Sequence, residues 1–380
     1  MRCPQTPAAV GCSPFAHPAS IVPLQPSNFT PPTSPTPFGP HPSTRPMNAP
    51  TALTLTAVPG LEVGHDTDTR RPTGCTVVLC REGATAGVDV RGAAPGTRET
   101  DLLAPHNTVS QVHGLLLSGG SAFGLDAAGG VMRWLDEHGI GFPVGPVRVP
   151  IVPGAVVFDL LVGDGRVRPT AESGFCACER ASSAPVEQGC VGAGAGATVG
   201  KLWGPSRAMK GGVGSAALQV GPWVVGALVV CNAIGDVVDP HTGQLIAGAR
   251  RSPHSLELMN TVQSQLSGPA GGPEGGALAG GNTTIGVVGC NARLTKSQAQ
   301  RLALVGHDGW ARTIRPVHTP LDGDTLFALA TARVNDEPDM MLLSTLAAEV
   351  VALATVQAVR QAQGLRLAES WWPAARDLLT

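Results

Sequence analysis

The sequence predicts an α/β protein, on three observations. The last quarter alternates in period: apolar β-type runs at 284–290 and 325–331 are separated and followed by helical patterns at 295–309 and 342–363, giving the order β-α-β-α. The middle of the chain carries short apolar runs closed by glycine turns, as sheet strands are. Finally, 49 glycines and no tyrosine among 380 residues call for tight turns and close backbone approaches.

Composition narrows the function. With 43% hydrophobic and 14% charged residues and a net charge of −2, nothing favours nucleic acid or an anionic membrane surface. Nine cysteines are scattered; the closest pair, Cys176-Ala-Cys178, has no histidine cluster beside it. Free thiols are expected, with no metal, no cofactor and a reducing, cytoplasmic setting.

In chain order, residues 1–50 hold 14 of the 34 prolines and no apolar run of signal-peptide length. They read as a disordered tail, with Met47 as an alternative start, and residues 51–380 as one catalytic domain. Strands are expected at Thr76–Cys80, Ala86–Val90 and Val112–Leu117. Leu117-Ser118-Gly119-Gly120-Ser121 then turns into a helix, with Ser121 as N-cap, Leu125, Ala128, Met132 and Leu135 on one face, and Gly139 past the end. Gly129-Gly130 inside it predicts close packing on a neighbour. Gly120-Ser121-Ala122-Phe123-Gly124 has G-S-x-x-G spacing and is no nucleophile elbow. Strands follow at Ala155–Leu160 and Trp223–Asn232, the second apolar throughout, as a strand buried on both faces would be. The run Gly192–Lys201 lacks the P-loop spacing: Ala195 stands at the needed glycine and Leu202 at the needed hydroxyl.

Residues 267–281 read as a flexible Gly-rich linker ending at Gly281-Asn282-Thr283-Thr284. Thr295-Lys296-Ser297-Gln298 fits a capping box opening the next helix. The last helix has Leu346, Val350, Leu353 and Val356 on its inner face and Gly364 as its stop.

The chemistry centres on Thr283. A hydroxyl residue opening a rigid strand after a glycine-rich approach is placed to attack the preceding carbonyl, and a free α-amine on the same residue would then serve as its base. The competing reading is an Asn-Thr turn before a strand. A helical crossover makes the strands at 284–290 and 325–331 parallel, so Thr283 and Asp324 start at one edge of the sheet. Asp322 and Asp324, two apart, face one way in extended backbone. As a competing reading, Asp322-Gly323-Asp324 is a solvated turn.

Gly281-Asn282-Thr283-Thr284, Asp322-Gly323-Asp324-Thr325-Leu326-Phe327-Ala328, Ser118–Gly124 and Asn232 together resemble the DmpA-type aminopeptidases and NylC nylon-oligomer hydrolases, from about Pro59 to near the C-terminus. The resemblance implies a self-cleaving N-terminal-nucleophile hydrolase with a four-layer α/β/β/α sandwich. It implies an α chain ending at Asn282, a β chain starting at Thr283, their continued association and a homo-oligomer of such pairs. By the same resemblance Thr283 is the nucleophile, Asn232 helps hold the oxyanion, Asp322 and Asp324 support the nucleophile, and Lys201 lies near it, although unaided Lys201 reads as a surface charge. Ser121 and Phe158 fall in the substrate pocket. Phe158 stands where relatives place a tyrosine, and it has no hydroxyl to donate. The expected activity is aminopeptidase-type hydrolysis of short peptides, amino-acid amides or esters. The alternatives are a 6-aminohexanoate-oligomer endohydrolase, a metal-dependent enzyme, or an inert binding protein of the same fold.

Overall fold

The structure, a computed structural model, describes residues 53–268 and 281–378. The proline-rich stretch 1–50 and residues 269–280 of the expected linker lie outside the described residues.

Twelve elements position the site. They are β1 (Glu62–Asp68), β2 (Thr73–Val90), β3 (Val112–Ser118), α1 (Ala127–Glu137), β4 (Gly154–Val156), α2 (Ala171–Glu179), β5 (Gly212–Val220), β6 (Trp223–Asn232), β7 (Thr283–Ala292), α3 (Lys296–Thr313), β8 (Thr325–Val334) and α4 (Met340–Arg360). The strands run in the order β5-β6-β7-β8-β2-β3-β4, with β1 on the other side of β2. The two strands expected at Thr76–Cys80 and Ala86–Val90 are one continuous strand of 18 residues. Its first half pairs with β1 and β3, its second half with β8, and the register slips between Leu79 and Ala84. The polar stretch Arg81-Glu82-Gly83 lies where β2 passes from one sheet region to the other.

Because side chains alternate across a strand, each strand feeds two cores. On β7, Ile285 and Val287 enter one apolar cluster and Val288 and Cys290 another. The first cluster also takes Val78, Leu115, Leu117, Leu228, Phe327 and Leu329, so it lies between two facing sheet regions. The second joins β6, β7 and β8 to Leu302, Ala303 and Trp310 of α3 and to Leu343, Ala347, Val350 and Val351 of α4. A third packs Cys75, Val77, Leu79 and Leu116 under Val131, Trp134 and Leu135 of α1 and Ala177 of α2. The layers are therefore α/β/β/α. The uniform apolarity of β6 has its reason here, since all ten of its residues are buried between a helical layer and the facing sheet.

β7 and β8 are parallel, with Ile285 opposite Thr325, as the helical crossover requires. α3 begins with the expected capping box: Thr295 Oγ1 accepts the Gln298 N–H, and the Gln298 side chain accepts the Thr295 N–H. The helix runs four residues beyond Gly309, to Thr313.

Three local expectations are corrected. Ser121 is no N-cap: it has φ +54, opens a 3₁₀ turn over Ser121–Asp126 without a side-chain cap, and donates its N–H to the Val157 carbonyl. The α-helix proper begins at Ala127. The strand expected over Ala155–Leu160 covers only Gly154–Val156, because Asp159 turns the chain away into a buried ion pair with Arg71 at 2.5 Å. Leu353 is 36% exposed and off the inner face of α4, where Val351 and Ala354 are buried instead. The pair Gly129-Gly130 divides: a Cβ on Gly130 would lie 1.6 Å from the Ala171 carbonyl, whereas one on Gly129 meets only the Ala171 methyl at 3.9 Å.

Candidate active site

Pairing at the start of β7 assembles the site. Thr283 stands opposite Asn232, the last residue of β6, and Asn282 bridges to Asp322 on the other side. Thr283, Asn282, Asn232, Lys201, Asp322 and Asp324 are all buried, Lys201 the most exposed of them at 8%. The reading of Asp322-Gly323-Asp324 as a solvated turn is thereby overturned, as is that of Lys201 as a surface charge.

Thr283 donates its hydroxyl to the carbonyl of Asn282, the residue before it. That same carbonyl accepts the Gly323 N–H at 3.0 Å. Only glycine fits at 323: a Cβ there would lie 2.8 Å from Thr283 Oγ1 and 2.5 Å from the Ala94 carbonyl.

Lys201 Nζ reaches three oxygens: the Asn232 carbonyl at 2.8 Å, Asn232 Oδ1 at 2.9 Å and the Gly281 carbonyl at 3.1 Å. Three acceptors match the three N–H bonds of an ammonium. Burial nonetheless pulls its pKa down to about 7, against the pull of Asp322 and other anions. Asn232 Oδ1 also accepts the Thr198 N–H at 3.0 Å, which fixes the amide flip and turns Nδ2 to the Phe158 carbonyl at 3.2 Å. Phe158 thus enters the site through its backbone.

The two aspartates are held by neighbouring residues. Asp324 Oδ1 accepts the Thr284 N–H at 2.7 Å, and its Oδ2 accepts the backbone N–H and Nδ1 of His318 at 3.1 and 2.8 Å. Asp322 Oδ2 accepts the N–H and hydroxyl of Thr319 at 3.0 and 2.6 Å. Asp322 Oδ1 is buried and has no hydrogen-bond partner among the described residues. Burial, and then the charge of Asp324, push the Asp322 carboxyl up to about 6. Both carboxylates therefore turn to one 318–319 turn, as residues two apart on an extended segment do.

Gly323, His318 and Thr319 were missed from the sequence. His-Thr-Pro-Leu-Asp-Gly-Asp has the look of a loop, and no periodicity marks which of its members reach the threonine. Ser121 lies on the turn beside Val157 and has no hydrogen bond to these groups among the described residues. The Gly192–Lys201 run forms a 3₁₀ turn and the short strand Thr198–Val199, which carry Lys201 inward where a phosphate loop would open a helix.

Residues 54–370 match the sequence profile of peptidase family S58. The chain belongs to that family. This S58 peptidase is a hydrolase of peptide or other amide bonds. It is 48% identical over 320 residues to an uncharacterized aminopeptidase of Mycobacterium tuberculosis (strain ATCC 25618 / H37Rv), covering 80% of this chain and 89% of the relative. It is 31% identical over 285 residues to the 6-aminohexanoate-oligomer endohydrolase of Kocuria sp. (strain KY2), covering 73% and 74%. The S58 fold is also that of the L-aminopeptidase D-Ala-esterase/amidase of Ochrobactrum anthropi, with TM-score 0.64 at 19% identity over 88% of this chain and 96% of that one. That protein is described as a variant of the N-terminal-nucleophile hydrolase fold. A Burkholderia β-aminopeptidase matches with TM-score 0.60 at 20% identity, covering 87% and 94%.

Proposed function

We propose that this hydrolase activates itself by cutting Asn282–Thr283 and then uses Thr283 as its N-terminal nucleophile. The observation that carries the reading is the Thr283 hydroxyl lying on the carbonyl of the bond before it, while the Gly323 N–H holds the same carbonyl oxygen. Attack of Oγ1 on the Asn282 carbonyl carbon puts negative charge on that oxygen, where Gly323 is already a donor. Collapse breaks the C–N bond, the hydroxyl proton passes to the departing nitrogen, and an ester links Asn282 to Thr283 Oγ1. Water hydrolyses the ester, leaving a carboxylate on Asn282 and a free amine and hydroxyl on Thr283.

The buried groups suit the cut and the turnover that follows. Asp322 Oδ1, an acceptor without a donor among the described residues, is the group suited to act as base, with a carboxyl raised toward working pH. After the cut, the same oxygen is available to the new ammonium of Thr283. In turnover Thr283 attacks a substrate carbonyl, its amine carries the proton to the leaving group, and water releases the acyl group. Lys201 Nζ, which loses its Gly281 partner if the tail withdraws, and Asn232 Nδ2 are the donors for the oxyanion. Phe158 leaves the oxyanion to them. The α and β chains stay together, as pairs within a homo-oligomer.

The substrate class follows from the same acids and from the relatives. Aminopeptidase-type action on short peptides, amino-acid amides or esters comes first, supported by the 48% identical aminopeptidase and by carboxylates able to hold a chain-end ammonium. Hydrolysis of 6-aminohexanoate oligomers is the second reading, supported by the Kocuria relative. Denaturing electrophoresis with N-terminal sequencing tests the activation: a chain beginning at Thr283 is expected, and one beginning elsewhere overturns it. Thr283→Ala is expected to stay whole and inactive. Rates on p-nitroanilides and 6-aminohexanoate oligomers, each with an N-acetylated control, decide between the substrates, and equal rates on free and acetylated forms rule out recognition of the terminal amine.

A further inference from the structure

His318 has no part in the steps above, yet it holds the Asp324 carboxylate through two hydrogen bonds. Its backbone N–H and Nδ1 both fall on Asp324 Oδ2, at 3.1 and 2.8 Å, and so occupy both lone-pair directions of that oxygen. Asp324 is left with Oδ1 to present to the start of β7, where it grips the Thr284 N–H at 2.7 Å. The ring is itself fixed. It stands edge-on to His307, with centroids 4.8 Å apart, and beside Trp310 at 6.3 Å. His307 is anchored in turn by Nε2 on the Asp89 carbonyl at 3.1 Å. His318 also has φ +56, a conformation in which Asn and His are among the few side chains often found.

We propose that His318 is a positioning residue for the reaction at Thr283: by filling Asp324 Oδ2 it stops that carboxylate from rotating and keeps Oδ1 aimed at the strand end that carries the nucleophile. The inference rests on the reading of Thr283 as nucleophile. Freed from His318, the carboxylate can turn about its Cβ–Cγ bond, the Thr284 N–H loses its fixed partner, and Thr283 is no longer held against the carbonyl it attacks. Bonding to a carboxylate oxygen also sets a ring proton on Nδ1, while Nε2 is buried without a partner among the described residues.

The test compares His318→Asn with His318→Gln in the full-length protein. An Asn side-chain amide places its NH₂ close to where Nδ1 lies and accepts the positive φ; Gln, one methylene longer, places it near Nε2 and away from Asp324. Asn is expected to keep kcat and the rate of self-cleavage within about 3-fold, and Gln to lower both by about 10-fold or more with KM little changed, as for a displaced nucleophile. Normal rates in Gln, or equal losses in both variants, would overturn the proposal. Thermal unfolding of each variant separates loss of fold from loss of rate. Should Gln fail to fold, ¹⁵N NMR of the histidine rings in uncut Thr283→Ala decides instead: a protonated Nδ1 at His318 is expected, and a bare Nδ1 refutes the assignment. Turnover by Thr283→Ala would sink the nucleophile reading itself, whereas an inactive Thr283→Ala beside a normal His318→Gln sinks only the role of His318.

Discussion

At Gly323 one missing carbon decides whether the site can exist. Its N–H holds the Asn282 carbonyl at 3.0 Å and its Cα stands where any Cβ would press on Thr283 Oγ1. Gly323→Ala is therefore expected to slow self-cleavage by about 10²-fold or more, the scale of losing an oxyanion donor, and an uncut band on a denaturing gel is the check. Asp322 supplies a pH signature. Its carboxyl is raised from 3.8 to about 6, so between those values the folded chain holds a proton that the unfolded chain releases, and the group's contribution to stability is lost as pH rises through about 6. Lys201 is lowered from 10.5 to about 7, so its contribution is present above 10.5 and lost as pH falls through about 7. The uncut chain thus holds both groups charged only where each costs stability. Cell-free synthesis of the precursor at fixed pH should show cleavage accelerating as pH climbs through about 6. Asp322→Asn is expected to remove that limb together with most of the rate; an unchanged limb would show that a different group is the base. Thr283 and the two aspartates were legible because hydroxyl, carboxylate and strand start each leave a mark in the sequence. His318, Thr319 and Gly323 leave none, since what they contribute depends on which way a turn faces.

Among the elements, α1 and α3 show which local signals survive folding. The capping box at Thr295 is legible because it is satisfied within four residues, whatever surrounds it. Thr295→Ala should cost about 1 kcal/mol in urea unfolding of the uncut Thr283→Ala protein. The glycine pair of α1 is legible only in part: two adjacent glycines look alike in sequence, but helix geometry turns one to α2 and the other away. Gly129→Ala is expected to raise stability by about 0.5–1 kcal/mol through helix propensity, and Gly130→Ala to lower it, because Ala171 must move. Equal effects at both positions would contradict the packing of α1 on α2. The turn at Ser121 deceived for a related reason. A serine after two glycines fits an N-cap, but its left-handed backbone and the pull of Val157 delay the α-helix to Ala127. The length of β2 was hidden by Arg81-Glu82-Gly83, whose polarity suits a turn and equally suits a strand crossing the rim between two sheet regions.

For the molecule as a whole, the β-α-β-α order of the C-terminal part and the buried character of β6 were enough to indicate a layered α/β fold. The pairing of N-terminal with C-terminal strands was beyond reach, because β2 meets β8 some 240 residues later in the chain and no local pattern encodes that partner. The strand order has a consequence after scission. In the proposed cut β7 and β8 would fall to a new chain 283–380, while β6 on one flank and β2 on the other would stay with the chain ending at Asn282. Cutting that one bond would make the sheet of each pair an assembly of two fragments, and would add a dependence on protein concentration to any that the homo-oligomer already carries. The mature pair should lose more melting temperature on dilution than uncut Thr283→Ala does, because only the cut protein adds the parting of its two fragments to any dissociation of the homo-oligomer. Neither fragment can be expected to hold its ladder alone, so the two halves expressed apart should regain a native sheet only when mixed: a cut at Asn282–Thr283 would turn the fold itself into a binding constant.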